Sequence, residues 1–209
     1  MIDNILDGKK IFVFDFDGTI INSEPLHWTA HKECLKDYGV TITSDDIKRY
    51  IGTTDKYIYS TIKNEFKLNY DVEKMILKKV EKFLELAEEK NIKPFKYFEE
   101  ILGNYENVSF NILSSQHMEI LEKFLEKWGI RKRFDTIISV SDTGIDKKEV
   151  YKNTFKYYKC NQEDVVLFED SMKCLELAKK EGINTVGIEM EYNEGKLKNC
   201  DYIIVESSN

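Results

Sequence analysis

The sequence contains no apolar run approaching the roughly 20 residues that a membrane-spanning helix needs, so no membrane partner is expected. Its opening, Met1 to Lys10, reads as polar, and the apolar run behind it is only four residues long, which argues against a secretory signal. Cysteine is sparse. Cys34, Cys160, Cys174 and Cys200 are widely spaced with no C-x-x-C pair, so they read as reduced thiols of a cytoplasmic protein rather than a disulfide frame or a zinc site. Positive charge is in deficit, with 31 Lys and Arg against 38 Asp and Glu and a net charge of −7. That balance argues against a nucleic-acid polymer or an anionic membrane as partner. An acidic chain can still hold a phosphate, but only through local donors or a metal. Internal repeats and low-complexity segments are also missing.

What remains is a globular composition, 42% hydrophobic and 33% charged over 209 residues. That length suffices for one sizeable core, or for a core carrying a small inserted domain. Ile11-Phe12-Val13-Phe14 is fully apolar and short, which suits a strand buried on both faces of a parallel sheet. Similar runs recur at 108–113, 136–140, 165–168, 185–188 and 202–205. Helical patterns lie between most of them, at 116–128, 147–158 and 171–181, with Gly129 and Gly182 as stops. The alternation predicts an α/β fold with a parallel sheet covered by helices.

The stretch 22–90 breaks the alternation and reads as all-helical. Pro25 suits the first turn of a helix reaching Tyr38, residues 44–51 open on capping residues, and 71–90 carry one apolar stripe. The expected division is therefore a core of 1–21 and 91–209 with a helical insertion of 22–90.

The chemistry is expected where the first strand ends. Asp15-Phe16-Asp17-Gly18-Thr19 follows it directly, and open parallel sheets bind ligands at the carboxyl ends of their strands. Aspartates two apart on extended chain point to one side. Their repulsion would drive a proton onto one of them unless a divalent cation intervened. A second acidic pair, Glu169-Asp170, follows the run 165–168 in the same way. Such hard oxygen ligands favour magnesium.

These segments resemble the haloacid dehalogenase superfamily, in the branch with a small helical cap after the first strand that includes beta-phosphoglucomutase-like and phosphoglycolate-phosphatase-like proteins. Asp15 to Thr19 matches its D-x-D-G-T motif, Ile112-Leu113-Ser114-Ser115 its second motif and Phe168-Glu169-Asp170-Ser171 its acidic motif. Asn22-Ser23-Glu24-Pro25-Leu26-His27 is similar to the D-S-E-P-x-H opening of the cap, with Asn22 in place of Asp. The third motif departs most. The usual Lys-Pro is missing, and Lys147, with Lys148 as the alternative, stands at the start of the helix instead.

The resemblance implies a Rossmann-like core with an inserted helical-bundle cap, and a magnesium-dependent phosphatase acting on a small phosphorylated metabolite. Asp15 would be the nucleophile forming an aspartyl-phosphate and Asp17 the acid–base, with Ser114 and Lys147 holding the phosphoryl group. Magnesium would be held by Asp15, the Asp17 carbonyl and Asp170, with Glu169 orienting its waters. Gly18, Thr19, Ser115, Ser23 and His27 would meet the substrate, with the 52–55 loop a further candidate, while His31 and His117 are expected to be non-catalytic. A phosphosugar mutase is the main alternative, although Asp55 stands where such enzymes carry an arginine. A non-catalytic phosphate-binding module on the same fold is the third reading. The sequence leaves oligomeric state open and is compatible with a monomer.

Overall fold

The computed structural model describes residues 2–43, 46, 50 and 53–206. The backbone divides into two compact units, Met1–Asn22 with Lys93–Asn209, and Ser23–Ile92. In the first, six strands form one parallel sheet: β1 (Ile11–Phe14), β2 (Ser109–Ser114), β3 (Phe134–Ser139), β4 (Val165–Glu169), β5 (Asn184–Glu189) and β6 (Tyr202–Val205). Their spatial order is β3-β2-β1-β4-β5-β6. The chain thus builds outward on one side of β1 and then returns to build on the other.

Both faces of β1 are buried, which is why it is apolar without alternation. On one face Phe14 stacks on Phe168 of β4 with ring centroids 4.2 Å apart and meets Phe98 edge-on at 5.2 Å. Each such aromatic pair contributes roughly 0.5–1.5 kcal/mol beyond its area burial. On the other face Ile11 and Val13 join Leu113, Leu167, Val150, Tyr151 and Ala178. These last three come from two of the covering helices of this unit. The core-unit helices used below are α4 (Lys96–Asn104), α5 (Met118–Lys127), α6 (Lys147–Tyr158) and α7 (Met172–Lys180), the labels α1 to α3 belonging to the second unit.

Two boundaries differ from the sequence reading. Helix α5 begins at Met118 rather than Gln116, because Asp142, which follows β3, accepts the Met118 N–H at 2.5 Å and caps the helix from outside. Val140, expected at the end of a strand, instead opens a short helix, Val140–Thr143, capped by Ser139, whose hydroxyl accepts the Asp142 N–H at 3.2 Å.

In the second unit α1 (Glu24–Lys36) has Pro25 in its first turn, where a missing N–H costs nothing. Helix α2 (Asp55–Glu65) is capped by Thr54, and α3 (Val72–Glu89) by Asp71, which accepts the Lys74 N–H at 2.9 Å. The helix expected over 44–51 lies outside the described residues apart from Asp46 and Tyr50. The stripe of α3 buries Met75, Ile76, Val80, Phe83 and Ala87 together with Lys79, which is only 1% exposed. Its ammonium is matched by Asp55 Oδ2 at 2.9 Å. Asp55 Oδ1 lies 3.6 Å from His31 Nε2, and His31 Nδ1 is 3.0 Å from the Tyr59 hydroxyl. Burial, and then the Lys79 charge, push the His31 ring down to about 3, so it is neutral at neutral pH. No helix among the described residues is long and apolar enough to cross a membrane.

Candidate active site

The strand order reverses between β1 and β4, and crevices at such switch points are where open α/β sheets bind ligands. Phe14 is in register with Phe168, and the Asp15 N–H continues the ladder by donating to the Phe168 carbonyl at 2.9 Å. Register therefore carries Asp15 out beside Glu169 and Asp170. On the other side β2 ends at Ser114.

Asp15, Glu169 and Asp170 each offer an oxygen within 4.8 Å of the others'. Lys147 reaches them from the first turn of α6, its Nζ lying 2.8 Å from Glu169 Oε2 and 3.0 Å from Asp15 Oδ1. One helical turn on, the Tyr151 hydroxyl points at the same Glu169 oxygen, 3.5 Å away. Lys148 is exposed and points elsewhere, so of the two lysines only Lys147 joins the cluster. Burial, reinforced by Glu169, pushes the Asp15 carboxyl up to about 8, against the pull of Lys147. Glu169 is also raised by burial and restrained by Lys147. Lys147 is held well above its ordinary value: burial acts against its charge, and the two carboxylates outweigh that.

Asp17 sits apart from that cluster. Its two carboxylate oxygens accept the side-chain amide of Gln116 at 3.1 and 3.0 Å. Gln116 is buried and fully used: its Oε1 accepts the His117 N–H, its own N–H donates to Ser114 Oγ at 3.1 Å, and its carbonyl accepts the Ser139 hydroxyl. Ser114 thus accepts one bond and keeps its own proton to give.

Gly18 has φ +69 and its N–H closes a turn onto the Ile21 carbonyl at 2.8 Å. A Cβ there would lie closer than 3.0 Å to both the Tyr192 hydroxyl and the Asp170 carboxylate. Thr19 Oγ1 is buried without a hydrogen-bond partner, while its carbonyl accepts the Tyr97 hydroxyl. Ser115 is exposed, and its carbonyl accepts the Ser141 hydroxyl. Ser23 and His27 belong to the helical unit. There Ser23 is buried ahead of α1 and the His27 ring stacks on Phe83 at 4.4 Å. Thr53 bonds back to the Tyr50 carbonyl at 2.6 Å, and Gly52 lies outside the described residues.

The donor set fits a magnesium ion. It consists of hard carboxylate oxygens, and Asp15 Oδ1 is buried yet accepts no well-aligned hydrogen bond, even with Lys147 3.0 Å away. Four residues of the site were not visible in the sequence: Gln116, Tyr151, Tyr192, and Asn193, whose side-chain amide donates to the Asp170 carbonyl. Tyr151 could have been found as the i+4 neighbour of Lys147. The other three carry no periodic or motif signal.

A family model described as haloacid dehalogenase-like hydrolase matches residues 12–188. The chain is 25% identical over 190 residues to a phosphorylated carbohydrates phosphatase of Thermotoga maritima, covering 88% of this chain and 87% of that one. Among solved structures, CbbY from Rhodobacter sphaeroides in complex with phosphate superposes with a TM-score of 0.82 at 19% identity, over 94% and 93% of the two chains. A beta-phosphoglucomutase from Clostridium difficile gives 0.76 at 19% identity, over 94% and 90%.

Proposed function

The chain belongs to the haloacid dehalogenase-like hydrolase family, and we propose that it is a magnesium-dependent phosphatase acting on a small phosphate monoester through an aspartyl-phosphate. The observation that carries this reading is the buried set of Asp15, Glu169, Asp170 and Lys147 at the sheet's switch point. A carboxylate nucleophile needs charge compensation for itself and for the anion it attacks, and that set supplies a cation and room for a second one.

In the first step an Asp15 oxygen bonds to phosphorus while the bond from phosphorus to the ester oxygen breaks. Asp17 gives its proton to that leaving oxygen. In the second, water bonds to phosphorus, Asp17 takes the water's proton, and the bond to Asp15 breaks. Inorganic phosphate leaves with both aspartates restored. Asp15, Asp170 and the Asp17 carbonyl would hold magnesium, whose charge would keep Asp15 ionised and offset repulsion by the phosphate. Gln116 holds Asp17, Lys147 adds its charge beside Asp15, and the Ser114 proton is available to a phosphoryl oxygen. Gly18, Thr19 and Ser115, close in sequence to Asp17 and Ser114, are our candidates for substrate contacts from the core, and Ser23 and His27 are those from the helical unit.

The Thermotoga relative is named for phosphorylated carbohydrates, which supports a sugar phosphate as substrate. A mutase would need a cation for a second phosphate. At the relevant place stands Asp55, already bound to Lys79, which favours hydrolysis over isomerisation. Four free thiols fit a reducing compartment such as the cytoplasm. The test is phosphate release from an aryl phosphate with magnesium, with chelator, and with Asp15→Asn. Turnover only in the first condition is expected. No turnover with any divalent metal would overturn the enzyme reading, and conversion of a hexose 1-phosphate without free phosphate would favour the mutase.

A further inference from the structure

The short 3₁₀ turn Glu191–Asn193 after β5 brings a phenol into the site. The Tyr192 hydroxyl donates to Asp170 Oδ2. The turn is tied down by its neighbour: Asn193 Nδ2 donates to the Asp170 carbonyl at 2.9 Å and to the Ile188 carbonyl at 3.0 Å, while its Oδ1 accepts the Met190 N–H at 2.6 Å. Gly18 has no Cβ where one would strike both the phenol and the carboxylate. Tyr192, Asp170 and the Gly18 backbone are therefore packed as one block.

We infer that Tyr192 is a positioning residue that restricts Asp170 to single-oxygen coordination and so tunes the site toward magnesium over calcium. The inference rests on the metal-dependent reading above and concerns how this chain shapes that site. A carboxylate oxygen already accepting a strong O–H bond is a weaker metal ligand than its twin, and the bond also fixes the plane of the carboxylate. Magnesium asks for one oxygen per carboxylate in a tight octahedron. Calcium takes a larger, looser shell and readily uses both oxygens of one carboxylate. A phenol on Oδ2 opposes the second mode and leaves the first intact.

The experiment measures magnesium and calcium dissociation constants by calorimetry on the full chain, with and without Tyr192→Phe. Thermal melts in chelator check that the variant is folded. The variant is expected to bind magnesium about 10-fold more weakly and calcium no more weakly than before, so the preference for magnesium falls by a similar factor. Tyr192→His, whose ring N–H can donate in place of the phenol, is expected to recover part of that preference. Equal weakening for both ions, or no change in either, overturns the inference while leaving the metal site standing. A parent chain that binds neither ion overturns the metal-dependent reading and this inference with it.

Discussion

Replacing Lys147 by methionine is the sharpest test of the charge balance in the site. With Asp15 pushed up to about 8, the metal-free site at pH 7 holds a neutral Asp15, and the Lys147 cation, 2.8 Å from Glu169, is what favours the ionised form of that carboxyl against its burial. Methionine keeps most of the volume and removes the cation. Glu169, with 0% exposure, is then a buried charge without a counter-ion, and stranding one typically costs about 3–5 kcal/mol. Protonating Glu169 is the cheaper escape. Its cost follows from the distance between the pH and the ordinary glutamate value of 4.5, at about 1.4 kcal/mol per pH unit. The loss of stability is thus capped near 3.4 kcal/mol at pH 7 and near 1.4 kcal/mol at pH 5.5, both approximate. The sign follows from linkage: the variant binds a proton on folding that the unfolded chain lacks above pH 4.5, so its deficit grows as pH rises. Urea unfolding of parent and variant at the two pH values, in chelator, reads the difference directly. A deficit that is the same at both, or below about 1 kcal/mol at pH 7, would refute the reasoning.

Three further outcomes are expected. Gln116→Leu removes the amide that holds both Asp17 oxygens, and should lower kcat by about 10- to 100-fold with KM little changed in steady-state assays on an aryl phosphate. Gly18→Ala places a methyl against Tyr192 and Asp170 at a positive φ, so magnesium binding by calorimetry should be lost, with about 1–3 kcal/mol of stability. His31 is neutral when folded, with its ring down at about 3, while the unfolded ring protonates near 6.5. Stability should therefore fall as pH drops below 6.5, by about 2 kcal/mol at pH 5, with Lys79, Asp55, His27 and Tyr59 as the groups around it. Urea midpoints at pH 7 and pH 5 should show that slope in the parent and a shallower one in His31→Gln.

The sheet was legible because β1 and β4 are buried on both faces and so read as unbroken apolar runs between helices. Asp15, Asp17, Glu169 and Asp170 stood out because they fall within three residues of the ends of such runs. Choosing between Lys147 and Lys148 was not, since adjacent residues of a helix differ by about 100° in direction and only packing decides which faces inward. Lys79 illustrates the same limit. Amid an apolar stripe it reads as a break in the pattern, and only the Asp55 carboxylate, 24 residues earlier in the chain, makes its burial tolerable. Gln116 meets Asp17 across 99 residues, and Tyr192 sits in a polar turn. Neither partner can be inferred from spacing, because the contact exists only once the sheet has brought the loops together.

Two hydrogen bonds bear on how this chain can change. The Phe95 N–H donates to the Ile20 carbonyl at 2.8 Å, and the Tyr97 hydroxyl joins the Thr19 carbonyl. The two points at which the core is interrupted are therefore clamped side by side by bonds within the core unit itself. To the sheet, all of Ser23–Ile92 is one long excursion between joined ends. Lengthening such an excursion even twofold costs only about 0.6 kcal/mol in closure entropy. The length of the helical unit is in that sense nearly free to vary, while the register that sets Asp15 beside Glu169 stays as it is.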